Sequence, residues 1–203
     1  MRANLLIDSL PETITVEGRE YSINADFRTG ILFELLTYDE SVRDNVKCRQ
    51  IFDLFFGGVS DVTPPYKKEA FDAILSFYRC EREENRVAKS IARRNKQMQS
   101  RIYDFDVDDA HIYAAFVAQY GIDLNDVEYL HWWKFKALFD ALDDDQKIVK
   151  IMGYRAADLS KIKNQKERER MARLKALYAL PNAASREEKV AHAASIFAGG
   201  IGE

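Results

Sequence analysis

Period-two alternation of apolar and polar residues occurs at the start of the chain. Ile14 and Val16 alternate with Thr13 and Thr15, and Tyr21 and Ile23 alternate with Glu20 and Ser22. Glu17-Gly18 lies between the two runs. Glycine can take the positive φ that a two-residue turn needs, so the pattern predicts a β-hairpin. Two strands are marginal on their own in water, and this hairpin has to lie on helices or on a partner. From Asp26 onward the period becomes helical. Asp26 is placed to cap a short helix holding Ile31, Leu32, Phe33, Leu35 and Leu36, whose first turn Gly30 weakens. A second helix is expected from about Ser41 to Phe56, with Val42, Val46, Ile51, Phe52 and Phe55 as its apolar set and Gly57-Gly58 as its stop. A third begins at Pro64-Pro65 and carries Phe71, Ile74, Leu75 and Tyr78 to Cys80.

The pattern then lapses. Between Glu81 and Arg101 the larger apolar residues are Val87, Ile91 and Met98, while Arg86, Lys89, Arg93, Arg94, Lys96 and Arg101 punctuate the stretch. It reads as an exposed basic connector, and the acidic run Asp104, Asp106, Asp108 and Asp109 after it can pair with it. Helical spacing returns with Ile112, Tyr113, Phe116, Val117 and Tyr120, ended by Gly121. Asn125 with Glu128 has the spacing of a capping box, with Leu124 and Tyr129 as its hydrophobic staple, for a helix to about Leu142. Asp143 is placed to cap a short helix with Ile148, Val149, Ile151 and Met152, stopped at Gly153. A long helix is expected from about Ala156 to Leu180, polar all round in its middle from Lys163 to Arg170. Ser185 with Glu188 opens a last helix through Phe197. The expected fold is mainly α. An N-terminal hairpin plus short helices occupies 1–82, a basic connector 83–105, and a C-terminal helical bundle 106–203.

Composition narrows the class. The 203 residues are 47% hydrophobic and 12% aromatic, enough for one or two packed cores and outside the disordered range. A formal net charge of −3 argues against bulk electrostatic attraction to nucleic acid or membrane. Cys48 and Cys80 form no CxxC pair, which fits a reducing compartment. The opening MRANLLIDSLPETI lacks the apolar length of a signal peptide, and no run of about 18 apolar residues predicts a membrane span.

Candidate chemistry is sparse. His111, His131 and His192 fall on three separate predicted helices without a second His or Cys at i+3 or i+4, so no metal ligands are assigned. There is no GxGxxG, no GxxxxGK[ST] and no GxSxG, hence no phosphate cradle and no nucleophile elbow. The run DFDVDD lacks the glycine and terminal glutamate of a calcium loop and suits a helix N-terminus. The basic stretches Arg86–Arg101 and Lys161–Lys175 lack interleaved aromatics or carry cancelling acids, so they read as solvated faces. No catalytic residue and no cofactor follows, and the chain is not expected to be an enzyme.

The segment from Tyr129 to Phe139 holds both tryptophans. On a helical wheel Val127, Leu130, Phe135, Leu138, Ala141 and Leu142 share one arc, with Trp132 and Phe139 at its edge. Trp133 falls on the other side with Tyr129, Lys136 and Asp140. Either the helix is buried on two sides, or Trp133 belongs to an interface.

The run YDFDVDDAHIYAAFVAQYGIDLNDVEYLHWWKFKALFDAL, followed by IVKIMGYRAADLSKIK, resembles a family of phage proteins known as bacteriophage gene product fifteen. LPETITVEGREYSINADFR and the helix ending FYRC are similar to it as well, so the resemblance spans nearly the whole chain. Its most specific pieces are Leu130-His131-Trp132-Trp133-Lys134-Phe135 and Tyr154-Arg155. The resemblance implies a tail-morphogenesis protein of long-tailed phages and prophages, encoded beside the tape-measure gene. Proteins in that position are typically tail assembly chaperones that coat the helical tape-measure protein in the host cytoplasm until the tail tube polymerises. The alternatives are a minor structural component of the virion and, behind it, a nucleic-acid-binding regulator. The tape-measure protein is the implied partner, with self-association as a second contact and neither membrane nor nucleic acid expected. For such a partner Tyr129, Trp133 and Lys136 are the candidate anchor, and Lys163, Lys166 and Arg170 the candidate charged rim.

Overall fold

The computed structural model describes residues 3–59, 62–80, 102–180 and 194–196. Most of the basic connector, with Arg86–Arg101, and most of the Ser185-capped helix lie outside the described residues. The fold is mainly helical with a short N-terminal hairpin, as expected. Its two compact units interleave along the chain, whereas the sequence reading placed them in succession. One comprises Met1–Lys96, Tyr129–Ala137 and Lys189–Glu203; the other comprises Gln97–Glu128 and Leu138–Glu188.

In the first unit β1 (Thr13–Val16) and β2 (Arg19–Ser22) pair antiparallel, with Ile14 opposite Tyr21 and Val16 opposite Arg19. Glu17 and Gly18 both have positive φ, 51° and 75°, the requirement of the tight turn read from the sequence. Ile14, Val16 and Tyr21 are buried, and β1 rests on α3 (Lys68–Tyr78). The turn is tied to the start of that helix: Lys67 Nζ lies 2.7 Å from Glu17 Oε1, and the Glu17 amide donates to Glu69 Oε1 at 2.7 Å.

Asp26 caps α1 (Phe27–Tyr38) by accepting the Arg28 amide at 3.0 Å. The next helix, α2 (Asp44–Phe56), starts three residues later than predicted because Asp39 Oδ1 takes the Ser41 amide and hydroxyl into a local turn. Likewise α3 starts beyond the prolines, after a turn closed by Lys67 N donating to Pro65 O. The core joins Phe33, Ile51, Phe55, Phe71, Ile74 and Phe77 to Trp132, Trp133 and Phe135. Ala194–Ile196 is helical, and the buried Ile196 offers its carbonyl to Cys48 Sγ at 3.1 Å.

In the second unit α4 (Asp109–Tyr120) ends at Gly121, which takes the left-handed conformation at φ 65°. Then α6 (Lys147–Ala156) runs through Gly153 where a stop was expected. The long helix expected from Ala156 to Leu180 is broken. A 3₁₀ turn spans Leu159–Lys161, started by Asp158 accepting Ser160 N at 3.0 Å. A separate helix, α7 (Gln165–Leu177), begins where Asn164 Oδ1 accepts Glu167 N at 3.1 Å. Between α4 and α6 lies α5 (Trp132–Asp140), whose residues to Ala137 belong to the first unit and whose last three belong to the second.

Candidate partner-binding surfaces

The predicted capping box at Asn125 does not form, and the helix start moves six residues on, to a cap at His131. Asp123 Oδ1 accepts the amides of Asn125 and Asp126, holding them in a turn. The chain beyond is then drawn out alongside the residues before α1. Phe27 N donates to Leu130 O at 2.8 Å, Trp132 N donates to Ala25 O at 2.7 Å, and Leu130 N donates to the second oxygen of Asp26 at 3.2 Å. The helix is capped by His131, whose Nδ1 accepts the Trp133 amide at 3.0 Å. Its other ring nitrogen lies 3.1 Å from Pro11 O, which can only accept, so the neutral Nε2–H tautomer fits both bonds. Burial pushes the His131 pKa below its ordinary value, more than the Pro11 carbonyl raises it.

From this start the two tryptophans diverge as adjacent residues on a helix must. Trp132 Nε1 donates to Tyr78 O at 2.9 Å, and Trp133 Nε1 donates to Phe77 O at 2.8 Å. Those carbonyls belong to the last turn of α3; Phe77 O also accepts the Cys80 amide at 2.8 Å, and the two indoles add donors from outside to the end of that helix. Trp132 stacks on Tyr78 and Phe135 at 5.3 and 5.7 Å, and Trp133 lies 5.9 Å from Phe77. Both indoles are 1% exposed. Trp132 and Phe135 are core residues of the first unit, packed on Tyr78 and Phe27, and not of the C-terminal helical part to which their place in the sequence assigns them.

Trp133 and Lys136 as partner anchors are therefore corrected. Trp133 is sealed in the core, and Lys136 is buried with its ammonium 6.0 Å from the Trp132 ring. Tyr129 alone of that trio is accessible, 49% exposed, with its hydroxyl donating to Glu12 Oε1 at 3.0 Å. Partial burial and this carboxylate raise its pKa above the ordinary value.

The other three candidates lie in the second unit. Lys163 precedes α7, and Lys166 and Arg170 lie on it; all three are exposed. No described residue of α7 is fully buried, and Leu177 is 72% exposed. Lys175 Nζ donates to Ala157 O at 2.8 Å, and Lys147 Nζ to the hydroxyl of Tyr178 at 2.7 Å, just beyond the helix.

The acidic run lies at the N-terminus of α4 as predicted, with Asp108 at the cap position and Asp109 in the first turn, but its side chains do more than complement the helix end. Asp104 Oδ1 accepts the Asp106 and Val107 amides, and Asp108 makes no side-chain cap bond to α4. Asp108 instead receives Arg155 through both oxygens, at 2.6 and 3.0 Å, with both side chains buried. The same guanidinium donates to Ile102 O and Tyr178 O, so one side chain ties four segments of this unit. Tyr154-Arg155, singled out by the resemblance, includes the hub of that network.

Sequence reasoning missed a third surface, on α1. Its buried residues include Thr29, Glu34 and Thr37, each 2% exposed, while Leu32 is 50% exposed and Leu35 and Leu36 are half-buried. The inward polar groups are satisfied. Thr37 Oγ1 donates to Phe33 O, Tyr78 OH donates to Glu34 Oε2 at 2.6 Å, and Lys47 Nζ donates to Thr37 O. A signal was present in the sequence. Ile31, Leu32, Phe33, Leu35 and Leu36 span more of the helix circumference than one buried stripe can use. Leu32, Leu35 and Leu36, with Asp39 and with Gln50 and Leu54 of α2, line a cavity of about 360 Å³.

Among the described residues no group of three or more His, Cys, Asp or Glu side chains stands where it could hold a metal ion. No described helix is long and apolar enough to cross a membrane. The two units define a mainly helical protein with an N-terminal hairpin, bearing an outward leucine face in one unit and an exposed charged helix in the other. The chain belongs to the phage family described as Bacteriophage Gp15 protein, whose model matches residues 6–180 of its 203. No curated protein and no solved structure matches it.

Proposed function

We propose that this phage protein is a tail assembly chaperone that binds the tape-measure protein in the host cytoplasm and catalyses no reaction. Membership of the phage family carries the reading, and the outward leucine face on α1 agrees with it. A chaperone for a long helical protein has to offer accessible apolar surface to amphipathic segments. Many copies along one substrate need only modest affinity each. The exposed Lys163, Lys166 and Arg170 give the second unit a charged surface of its own for such a partner.

Coexpression with the tape-measure protein of the same phage tests this. That protein should stay soluble and carry several copies of the chain per molecule. The copies should be missing from purified virions, where a minor structural component would be retained. If the tape measure is equally insoluble with and without this chain, and no complex is recovered at low salt, the proposal fails.

A further inference from the structure

We infer that the groove between α1 and α2 takes one amphipathic helix of a partner protein, leucine-rich along its inward stripe and bearing a lysine or arginine where it meets Asp39. The inference rests on the chaperone reading for the identity of that partner, and on the structure for the chemistry of the site. Leu32, Leu35, Leu36 and Leu54 supply the apolar floor. On α1 the three leucines recur at the i, i+3, i+4 spacing that a helix presents along one side. The face cannot be turned inward to hide them. Glu34 is held by Tyr78 and the Thr37 carbonyl by Lys47, so rotating α1 would strip buried polar groups of these partners.

The charge at the site selects the partner. Among the described residues lining the groove Asp39 carries the charge, and it stands at the C-terminal end of α1. It is exposed, and the Ser41 hydroxyl and amide bonded to its Oδ1 keep it ionised. Lys47 already complements this helix end, with its ammonium donating to Thr37 O and its charge reaching Asp39, so the call for a partner's cation comes from the exposed Asp39 carboxylate itself. Glu40, next in the chain, is exposed and adds to it. A partner helix with an acidic residue at that end would meet like charge.

The test uses the full chain and two probes. The first is a designed, dye-labelled 18-residue helix with leucines at i, i+3, i+4 and i+7 and lysine at one end, titrated by fluorescence anisotropy. Saturable binding is expected, at least tenfold weaker for L35E, and weaker again when glutamate replaces the peptide's lysine. L32E, at the more exposed position, serves if L35E does not keep the wild-type circular dichroism spectrum. The second probe is the coexpressed tape-measure protein, whose complex the same variant should abolish. No saturable binding of the designed helix, or equal binding by the variant, overturns the inference. A tape-measure complex that survives L35E intact also overturns it and leaves the chaperone reading standing. A designed helix that binds, beside a wild-type chain that forms no tape-measure complex, has the opposite meaning. The groove is then a helix site and the chaperone reading falls.

Discussion

Gly30 sits where α1 meets Trp132, and replacing it with alanine is the sharpest probe of the packing. A Cβ at this position would lie 2.3, 2.4 and 2.6 Å from Trp132 Cε3, Cδ2 and Cζ3. Those atoms belong to a rigid ring whose Nε1 is bonded to Tyr78 O and which is stacked between Tyr78 and Phe135. The indole cannot retreat without lengthening that hydrogen bond. Overpacking a filled core costs about 1–3 kcal/mol, and loss of the bond adds about 0.5–1.5 kcal/mol. Alanine in a helix recovers about 1 kcal/mol relative to glycine. Gly30→Ala should therefore lose roughly 1–3 kcal/mol, a fall in Tm of the order of 2–12 °C for a chain this size. Urea unfolding followed by tryptophan fluorescence measures it. Adding Trp132→Phe to Gly30→Ala should recover part of the loss, because the smaller ring vacates the contested space. A neutral or stabilising Gly30→Ala would mean that helix propensity outweighs contact at this position and that the close approach of Trp132 is wrong.

Three further outcomes follow from the packing. Trp133→Ala should cost about 3–5 kcal/mol in chemical denaturation, and a loss below about 1 kcal/mol would return Trp133 to the surface. Arg155→Ala should cost about 3–5 kcal/mol by stranding the buried Asp108, and Arg155→Lys should recover little because lysine cannot make the two-pronged contact; a fully stable lysine variant would refute the network. Stability should also fall as pH drops below about 6.5, the ordinary histidine value, toward the lower pKa of folded His131. The unfolded chain binds the extra proton in that window, so the folded state gains as pH rises through it and is level above it. The urea midpoint between pH 8 and 5.5 reads this, since the depressed carboxylates Asp39, Asp123 and Asp158 act below 3.8. His131→Asn, which can still cap, should flatten the slope, and an unchanged slope would rule His131 out.

The hairpin and the helical composition were legible because each follows from local periodicity and turn chemistry. Helix starts were harder. Asn125 with Glu128 and Asn164 with Glu167 carry the same capping signature, yet the second alone caps a helix. The first is overruled by Asp123 nearby and by Asp26 a hundred residues away. Such competition lies outside any local window. The paired tryptophans were correctly seen to demand burial on two sides or an interface, and the carbonyls of Phe77 and Tyr78 decided between these. The acidic run looked like a helix start; that one member pairs with Arg155 was invisible until the fold brought them together. The leucine surface was missed because apolar residues on a helix were read as inward, while Glu34 and Thr37 found buried partners.

The two oxygens of Asp26 also set a timetable for synthesis. One caps α1 as soon as that helix forms, but the other waits for the amide of Leu130, 104 residues further on. Trp132, which fills the space over Gly30 and donates to the last turn of α3, is made later still. At translation speeds of 5–20 residues per second, the N-terminal elements leave the ribosome roughly 5–20 s before the residues that complete them. For that interval Phe27, Phe77 and Tyr78 lack the aromatic neighbours they acquire in the finished chain. A product terminated anywhere before Trp132 would carry an unfinished first unit, and release of a competent molecule is thereby tied to reading the message well past its midpoint.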